Sequence, residues 1–290
     1  RADDTDKPYF EGVVASCQSL DYAQRCALLM SDELAARIAK WPDRGTASRY
    51  DLELEVFVDR VGARYASWYE MFHRSQGTVP GQHATLKDCA KRLPAIRDMG
   101  FDVIYFVPVH PIGRSHRKGP DNTLVAGPND PGSPYAIGSE DGGHMALHKE
   151  LGTLDDFRDF VATAAEHGME VALDFAIQCS PDHPWIKEHP DWFKFRPDGT
   201  IKYAENPPKK YQDIVNVDFY TTDQEGLWNE ILRSVLFWVD LGVKIFRVDN
   251  PHTKPVPFWE WLISDVRAKY PEVIFLAEAF TTPAMMARLG

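Results

Sequence analysis

The chain has 290 residues, 44% of them hydrophobic, enough for one large core or two ordinary ones, and it lacks the Gly and Pro excess of a disordered chain. Its 32 basic and 43 acidic residues leave a net charge of −11, which argues against general affinity for nucleic acid or an anionic membrane. Cys17, Cys26, Cys89 and Cys179 are scattered with no C-x-x-C pair, so neither a zinc knuckle nor a disulfide framework is expected, and a reducing cytoplasm is.

The first residue is Arg1 rather than Met, so a missing N-terminal piece is expected; no secretory leader and no apolar run of about 18 residues is visible. Residues 11–41 read as helices: Leu28, Leu29, Leu34 and Ile38 follow helical spacing, Ser31 is placed to cap the second helix, and Pro42 stops it. Residues 44–48 read as a linker. We take 1–62 as a helical N-terminal segment and 63–290 as the catalytic domain.

From about residue 64 strands and helices alternate. "RYASWYEMF" is the first strand; a helical run through Leu86, Leu93 and Ile96 ends at Gly100. "DVIYFVPV" is the second strand, and the helix after its long loop starts at Leu154 behind Thr153, with Phe157, Phe160, Val161 and Ala164 on one face. "MEVALDFAI" is the third, followed after a second long loop by a helix bearing Leu227, Ile231, Val235 and Trp238. "VKIFRVD", a helix around Trp259–Lys269 and "VIFLAEAF" complete the series. Continuous apolar strands alternating with helices predict a parallel sheet covered on both faces. No G-x-G-x-x-G or G-x-x-x-x-G-K-[ST] follows a strand, which weighs against a nucleotide-binding open sheet. The long loops 108–150 and 177–221 both follow strands, the side on which barrels build their sites. The expectation is an α/β fold, a (β/α)8 barrel cut short after its fifth strand.

Arg247 and Asp249 stand two residues apart at the tip of strand four and so share a face, and Glu278 holds the matching place on strand five. Neighbouring parallel strands lie about 4.8 Å apart, so the two carboxyls fit the separation of about 5 Å typical of a retaining glycosidase pair. Arg247 is expected to keep Asp249 ionised as nucleophile, and the flanking Ala277, Ala279 and Phe280 to favour protonated Glu278 as acid/base. Asp174 and Gln178, at the end of strand three, are candidates to hold sugar hydroxyls or, for Asp174, to orient Arg247. His110, His144 and His252 are further hydroxyl donors, and Tyr135 a stacking platform. Asn206, Lys209, Lys210 and Tyr211, with Lys118 from the other long loop, form a cationic, amide-bearing group open to two readings, an anion site or solvated surface. No H-E-x-x-H or comparable set occurs, so no metal and no cofactor is expected.

These motifs resemble the α-amylase superfamily, glycoside hydrolase family 13. "GVKIFRVDNPH" is similar to its strand-four Arg-x-Asp motif, "FLAEAF" to its strand-five acid/base motif and "VALDFAIQCSPDHPW" to its strand-three region, with Cys179-Ser180 where Asn-His is usual. Within it, "ASWYEMFHRSQG", "HPIGRSHRKGPDNTL", "NPPKKYQDIVNVDF" and "FRVDNPHTKPVPFWEWLI" resemble the α-1,4-glucan:maltose-1-phosphate maltosyltransferase group, His73 standing where proline is expected. The resemblance implies Asp249 as nucleophile, Glu278 as general acid/base and Arg247 as the arginine that orients them. It implies Asn206, Lys209, Tyr211 and Asn250 around a donor phosphate, and Lys118, Asn122 and Gln178 on sugar. It also implies a cytoplasmic homodimer that moves maltosyl units from α-maltose 1-phosphate to α-1,4-glucan. The third carboxylate of the family would follow strand seven, so a molecule ending at Gly290 is expected to be inactive. The rival expectations are a hydrolase or isomerase of the same superfamily and a non-catalytic carbohydrate-binding fragment.

Overall fold

The computed structural model describes residues 2–45, 47–54, 56–206 and 208–289, with Asn206 described by its backbone alone. It divides into two compact units, residues 1–58 and 59–290.

The first unit holds α1 (Lys7–Ser19), α2 (Tyr22–Leu29) and α3 (Asp32–Ala39). Asp21 begins a helix with a reciprocal cap to Gln24, so Ser31, which accepts from the Leu34 amide, caps the third helix rather than the second. Asp6 is buried here, bonded to Arg37 at 2.7 Å and to the Trp41 indole at 2.9 Å.

The second unit runs α4 (Val61–Arg64), β1 (Trp68–Met71), α5 (Leu86–Ala90), α6 (Leu93–Asp98), β2 (Val103–Phe106), α7 (Leu154–Glu166), β3 (Glu170–Phe175) and α8 (Pro184–Glu188). It continues with β4 (Ala204–Asn206), β5 (Lys209–Tyr211), α9 (Gln224–Asp240), β6 (Ile245–Val248), α10 (Val256–Lys269), β7 (Ile274–Ala277) and α11 (Pro283–Leu289). All five expected strands are present, as one parallel sheet in the order β1-β2-β3-β6-β7, with helical crossovers as in part of a (β/α)8 barrel. The single helix expected across residues 86–96 is two, α5 and α6. Pro94 has no N–H for the carbonyl of Ala90 and would clash with it, so the first helix stops there.

The period of two along each strand sorts the side chains. Ile104, Phe106, Leu173 and Phe246 face the helices and join the large core with Phe157, Phe160, Ile231 and Trp238. Val103, Ala172 and Ile245 face the other way and form a small cluster with Trp68 and Ile274 packed against it. One step further toward the strand ends, on that same inner face, the apolar layer gives way to Tyr105, Asp174 and Arg247. Thr153 caps α7 in a reciprocal box with Asp156, which fixes where the long loop after β2 rejoins the sheet layer.

Candidate active site

Asp174 and Arg247 are registered partners on β3 and β6, and Arg247 pairs in register with Leu276 on β7. The next residue on the same inner face is Asp249 after β6 and Glu278 after β7. Their amides continue the ladder, Asp249 N–H to Phe175 O and Glu278 N–H to Val248 O, both at 3.0 Å. The strand backbone therefore carries both acids to the same level.

One guanidinium joins them. Arg247 Nη1 lies 2.9 Å from Asp174 Oδ2 and 3.0 Å from Asp249 Oδ1, and Nη2 contacts Glu278 Oε1. Asp174 is 2% exposed, and its Oδ2 also accepts from the hydroxyls of Tyr105 and Tyr135, the latter at 2.9 Å. It lies beneath the cavity rather than on its wall. Of the two roles open to it, its place favours orienting Arg247 over touching sugar. Burial pushes the Asp174 carboxyl up to about 7, against the pull of Arg247. Burial also raises the Tyr105 and Tyr135 hydroxyls, so both remain donors.

Glu278 is raised as expected, by burial and then by the Asp249 carboxyl beside it. The apolar neighbours expected to do this do not bury it: Ala277 is exposed and turned away by strand alternation, and Phe280, which lines the same cavity, is itself largely exposed.

These groups open into one cavity of about 1610 Å³. Lys118, Asn122, Tyr135, Gln178, Lys209, Tyr211, Asn250 and His252 also line it, so residues from five stretches of sequence meet there. Gln178 is held by its bond to Tyr135 O at 3.2 Å. Asn250 follows Asp249 in a left-handed conformation, φ 43°, and its amide donates to Asp249 Oδ2 at 3.3 Å. Lys118 is buried and its ammonium is bonded to Gln212 and to Lys210 O, tying the loop after β2 to the hairpin β4–β5. The hairpin presents Lys209 and Tyr211, while Lys210 turns to Glu205 at 3.7 Å. The Asn206 side chain lies outside the described residues. Of the expected hydroxyl donors, His110 and His144 are buried off the cavity, and only His252 lines it.

Cys179 and Ser180 are fully buried. Ser180 donates to Gly138 O at 2.5 Å, and a side chain on Gly138 or Gly143 would collide with His183. This pair supports the loop behind the cavity wall instead of contacting a sugar. His144, Cys179 and His183 lie close enough to suggest metal ligands, yet their protons are accounted for: Trp185 N–H donates to His183 Nδ1, leaving His183 Nε2 to donate to His144 Nδ1 and His144 Nε2 to Ala176 O. His83, His148 and Glu150 form a second such group, and neither group lines the cavity.

The sequence reading missed two residues. Tyr105 is the one polar side chain in the apolar strand Val103–Phe106, which is the signal that could have marked it. Lys254 lines the cavity beside the carboxylates, its ammonium on the carbonyls of Asp249 and Asn250. Its signal was a lone cation between the acid motif and a proline-flanked helix start.

No family model matches the chain. It is 60% identical over 295 residues to the α-1,4-glucan:maltose-1-phosphate maltosyltransferase of Rhodospirillum rubrum, covering 100% of this chain and 43% of that protein. It is 58% identical over 276 residues to the enzyme of the same name from Pseudomonas aeruginosa, covering 95% of this chain and 41% of the relative. The chain thus spans less than half the length of the curated relatives it matches. Among solved structures, an α-amylase from Lactobacillus plantarum superposes with a TM-score of 0.61 at 31% identity, over 77% of this chain and 47% of that one. A maltogenic α-amylase from Thermotoga neapolitana gives 0.62 at 25% identity, over the same shares. By sequence and by fold, the chain groups with the α-amylase superfamily, glycoside hydrolase family 13, and within it with the α-1,4-glucan:maltose-1-phosphate maltosyltransferases.

Proposed function

We propose that the full-length protein is a retaining transferase that moves maltosyl units from α-maltose 1-phosphate to the non-reducing ends of α-1,4-glucans and releases phosphate. The observation that carries this reading is the placement of Asp249 and Glu278 at one level of neighbouring strands, joined through Arg247 and open to one cavity. Strands about 4.8 Å apart give a carboxyl separation in the retaining range of about 5–5.5 Å.

In the first step an Asp249 oxygen bonds to the anomeric carbon as the bond from that carbon to the phosphate oxygen breaks, with Glu278 assisting the departure of phosphate. The raised proton affinity of Glu278 suits an acid. In the second step the 4-hydroxyl of a glucan attacks the same carbon, the bond to Asp249 breaks, and Glu278 takes the hydroxyl proton. Two inversions restore the α configuration. Lys209, Tyr211 and Asn250, with Asn206, receive the phosphate; Asn122, Gln178, Tyr135 and Lys118 frame the sugar. Asp174 orients Arg247. The relatives run well beyond the matched span, and the full-length protein is expected to complete the barrel and supply a third carboxylate there. A cytoplasmic location fits the four free cysteines; the homodimer that the family resemblance implies is tested by sedimentation of the full-length protein.

The deciding assay is phosphate release from maltose 1-phosphate by the full-length enzyme with and without glucan. Acceptor-dependent release with glucan elongation supports transfer. Release to water alone would replace it with hydrolysis, and no release would overturn the reading.

A further inference from the structure

Lys254 has no place in the scheme above, although it lies among the proposed catalytic groups and lines their cavity. Its Nζ donates to the backbone carbonyls of Asp249, at 3.3 Å, and Asn250, at 3.2 Å. Among the described residues it makes no ion pair, although Asp249, Glu278 and Asp174 are the charges it senses.

The segment it holds is a turn with an uncommon backbone. Asn250 has φ 43° and ψ 56°, the left-handed region, which asparagine enters more readily than most residues other than glycine. Its neighbours hold it there: Thr253 Oγ1 donates to Asn250 O at 2.8 Å, Trp259 Nε1 donates to Pro251 O at 2.9 Å, and Lys254 bridges the carbonyls of Asp249 and Asn250. A neutral side chain at position 254 would leave both carbonyls without that donor, in a site where burial already opposes the ammonium's charge and lowers it to about 8. A half-buried cation retained against that cost, and directed at main-chain oxygens instead of the nearby acids, has a structural target: the turn that aims Asp249 and Asn250.

We propose that Lys254 is a positioning residue for the nucleophile: by clamping the carbonyls of Asp249 and Asn250 it holds the left-handed turn that fixes the Asp249 carboxylate at the anomeric carbon. This rests on the functional reading above and adds to it a residue that acts on Asp249 rather than on the donor's phosphate. The clamp therefore matters for the attack on any donor, whatever its leaving group.

The experiment uses the full-length enzyme, wild type, Lys254→Met and Lys254→Arg, with two donors, α-maltose 1-phosphate and α-maltosyl fluoride. In Lys254→Met, kcat is expected to fall about 10- to 100-fold with both donors, with KM for maltose 1-phosphate within about twofold of wild type, as for an interaction that serves the transition state. Lys254→Arg, which keeps N–H donors, is expected to recover part of the loss. An unchanged kcat in Lys254→Met overturns the proposal. So does a loss confined to maltose 1-phosphate with raised KM, which would make Lys254 a phosphate contact, and so does an arginine variant that folds but is as slow as the methionine one. If thermal unfolding shows that Lys254→Met does not fold, Lys254→Ala, which likewise removes the donor, takes its place under the same criteria. A wild type inactive on both donors would refute the functional reading, not the clamp.

Discussion

The two walls of the cavity are built in opposite ways. One is the strand-end group Arg247, Asp249 and Glu278, with Asp174 beneath it, whose side chains are mostly buried and bonded through the guanidinium, and whose backbones continue the sheet ladder. The other is the hairpin β4–β5, two strands of three residues with Lys209 exposed to solvent. On the proposed reading, bonded and mostly buried groups sit where bonds are to be made and broken, and exposed contacts sit where the leaving group is to be gripped. The difference suggests that changes in the first wall act on the rate of the chemical step and changes in the second on donor binding.

Variants can break or sharpen that contrast. Removing the nucleophile has the largest expected effect: Asp249→Ala in the full-length enzyme should lower kcat by at least about 10⁴-fold, read as phosphate release, and should prevent any glycosyl adduct seen by mass spectrometry. Arg247→Lys comes next. An ammonium cannot serve Asp174, Asp249 and Glu278 from one planar fork, so a loss of about 10²-fold in kcat is expected, with the alkaline and acid limbs of the pH–rate profile displaced as Glu278 loses its partner. Lys209→Ala should change mainly donor KM, raising it about 10-fold as for one hydrogen bond to a charged group, with kcat nearly unchanged. If the two variants exchanged signatures, the division between the walls would fail.

Gly138→Ala tests the support behind the first wall. Gly138 has φ 103°, and an added Cβ would lie 2.2 Å from His183 Cδ2. A destabilisation of about 2–4 kcal/mol is expected from overpacking and backbone strain combined, measured by denaturant unfolding.

A further expected effect is the pH dependence of stability. Burial lowers His73, His144 and His148 to about 4 and His110 to about 3, so the unfolded chain binds more protons than the native one below the ordinary histidine value of 6.5. Their contribution is complete above pH 6.5 and is lost as pH falls from there toward 4 and 3. Asp174, raised to about 7, works the other way between 3.8 and 7. With His183 also lowered by burial, five histidines against the raised carboxyls of Asp174, Asp213 and Glu278 should make the unfolding temperature fall on acidification through this window, more steeply in Asp174→Asn. A flat profile would contradict the buried neutral state of the histidines.

Much of this was legible in the sequence because the signals were local. An apolar run ending in Arg247-x-Asp249 announces both a strand and what stands at its tip, and the same holds for Glu278. What was not legible depended on partners distant along the chain. Nothing near Tyr105 indicates that its hydroxyl meets Asp174, and nothing near Asp174 indicates that its carboxyl is closed off from the cavity by two tyrosines and an arginine. The environment of Glu278 was misjudged for the same reason: its flanking apolar residues leave it open, and the groups that act on it, Arg247 and Asp249, come from β6 and the residue just after it. At Pro94 and Asp21 the signals were present, a helix breaker and a helix cap, but helical periodicity concealed them.

Arg247 touches three acids at once, and this bears on how charge moves during the proposed cycle. When Asp249 becomes an ester it loses its negative charge, and when Glu278 gives up its proton it acquires one. Both oxygens belong to the same guanidinium, so the arginine faces the same total charge before and after, merely redistributed from one nitrogen to the other. The site can pass through the covalent intermediate without an unbalanced ion appearing in its interior, and the surrounding dipoles have little cause to reorient.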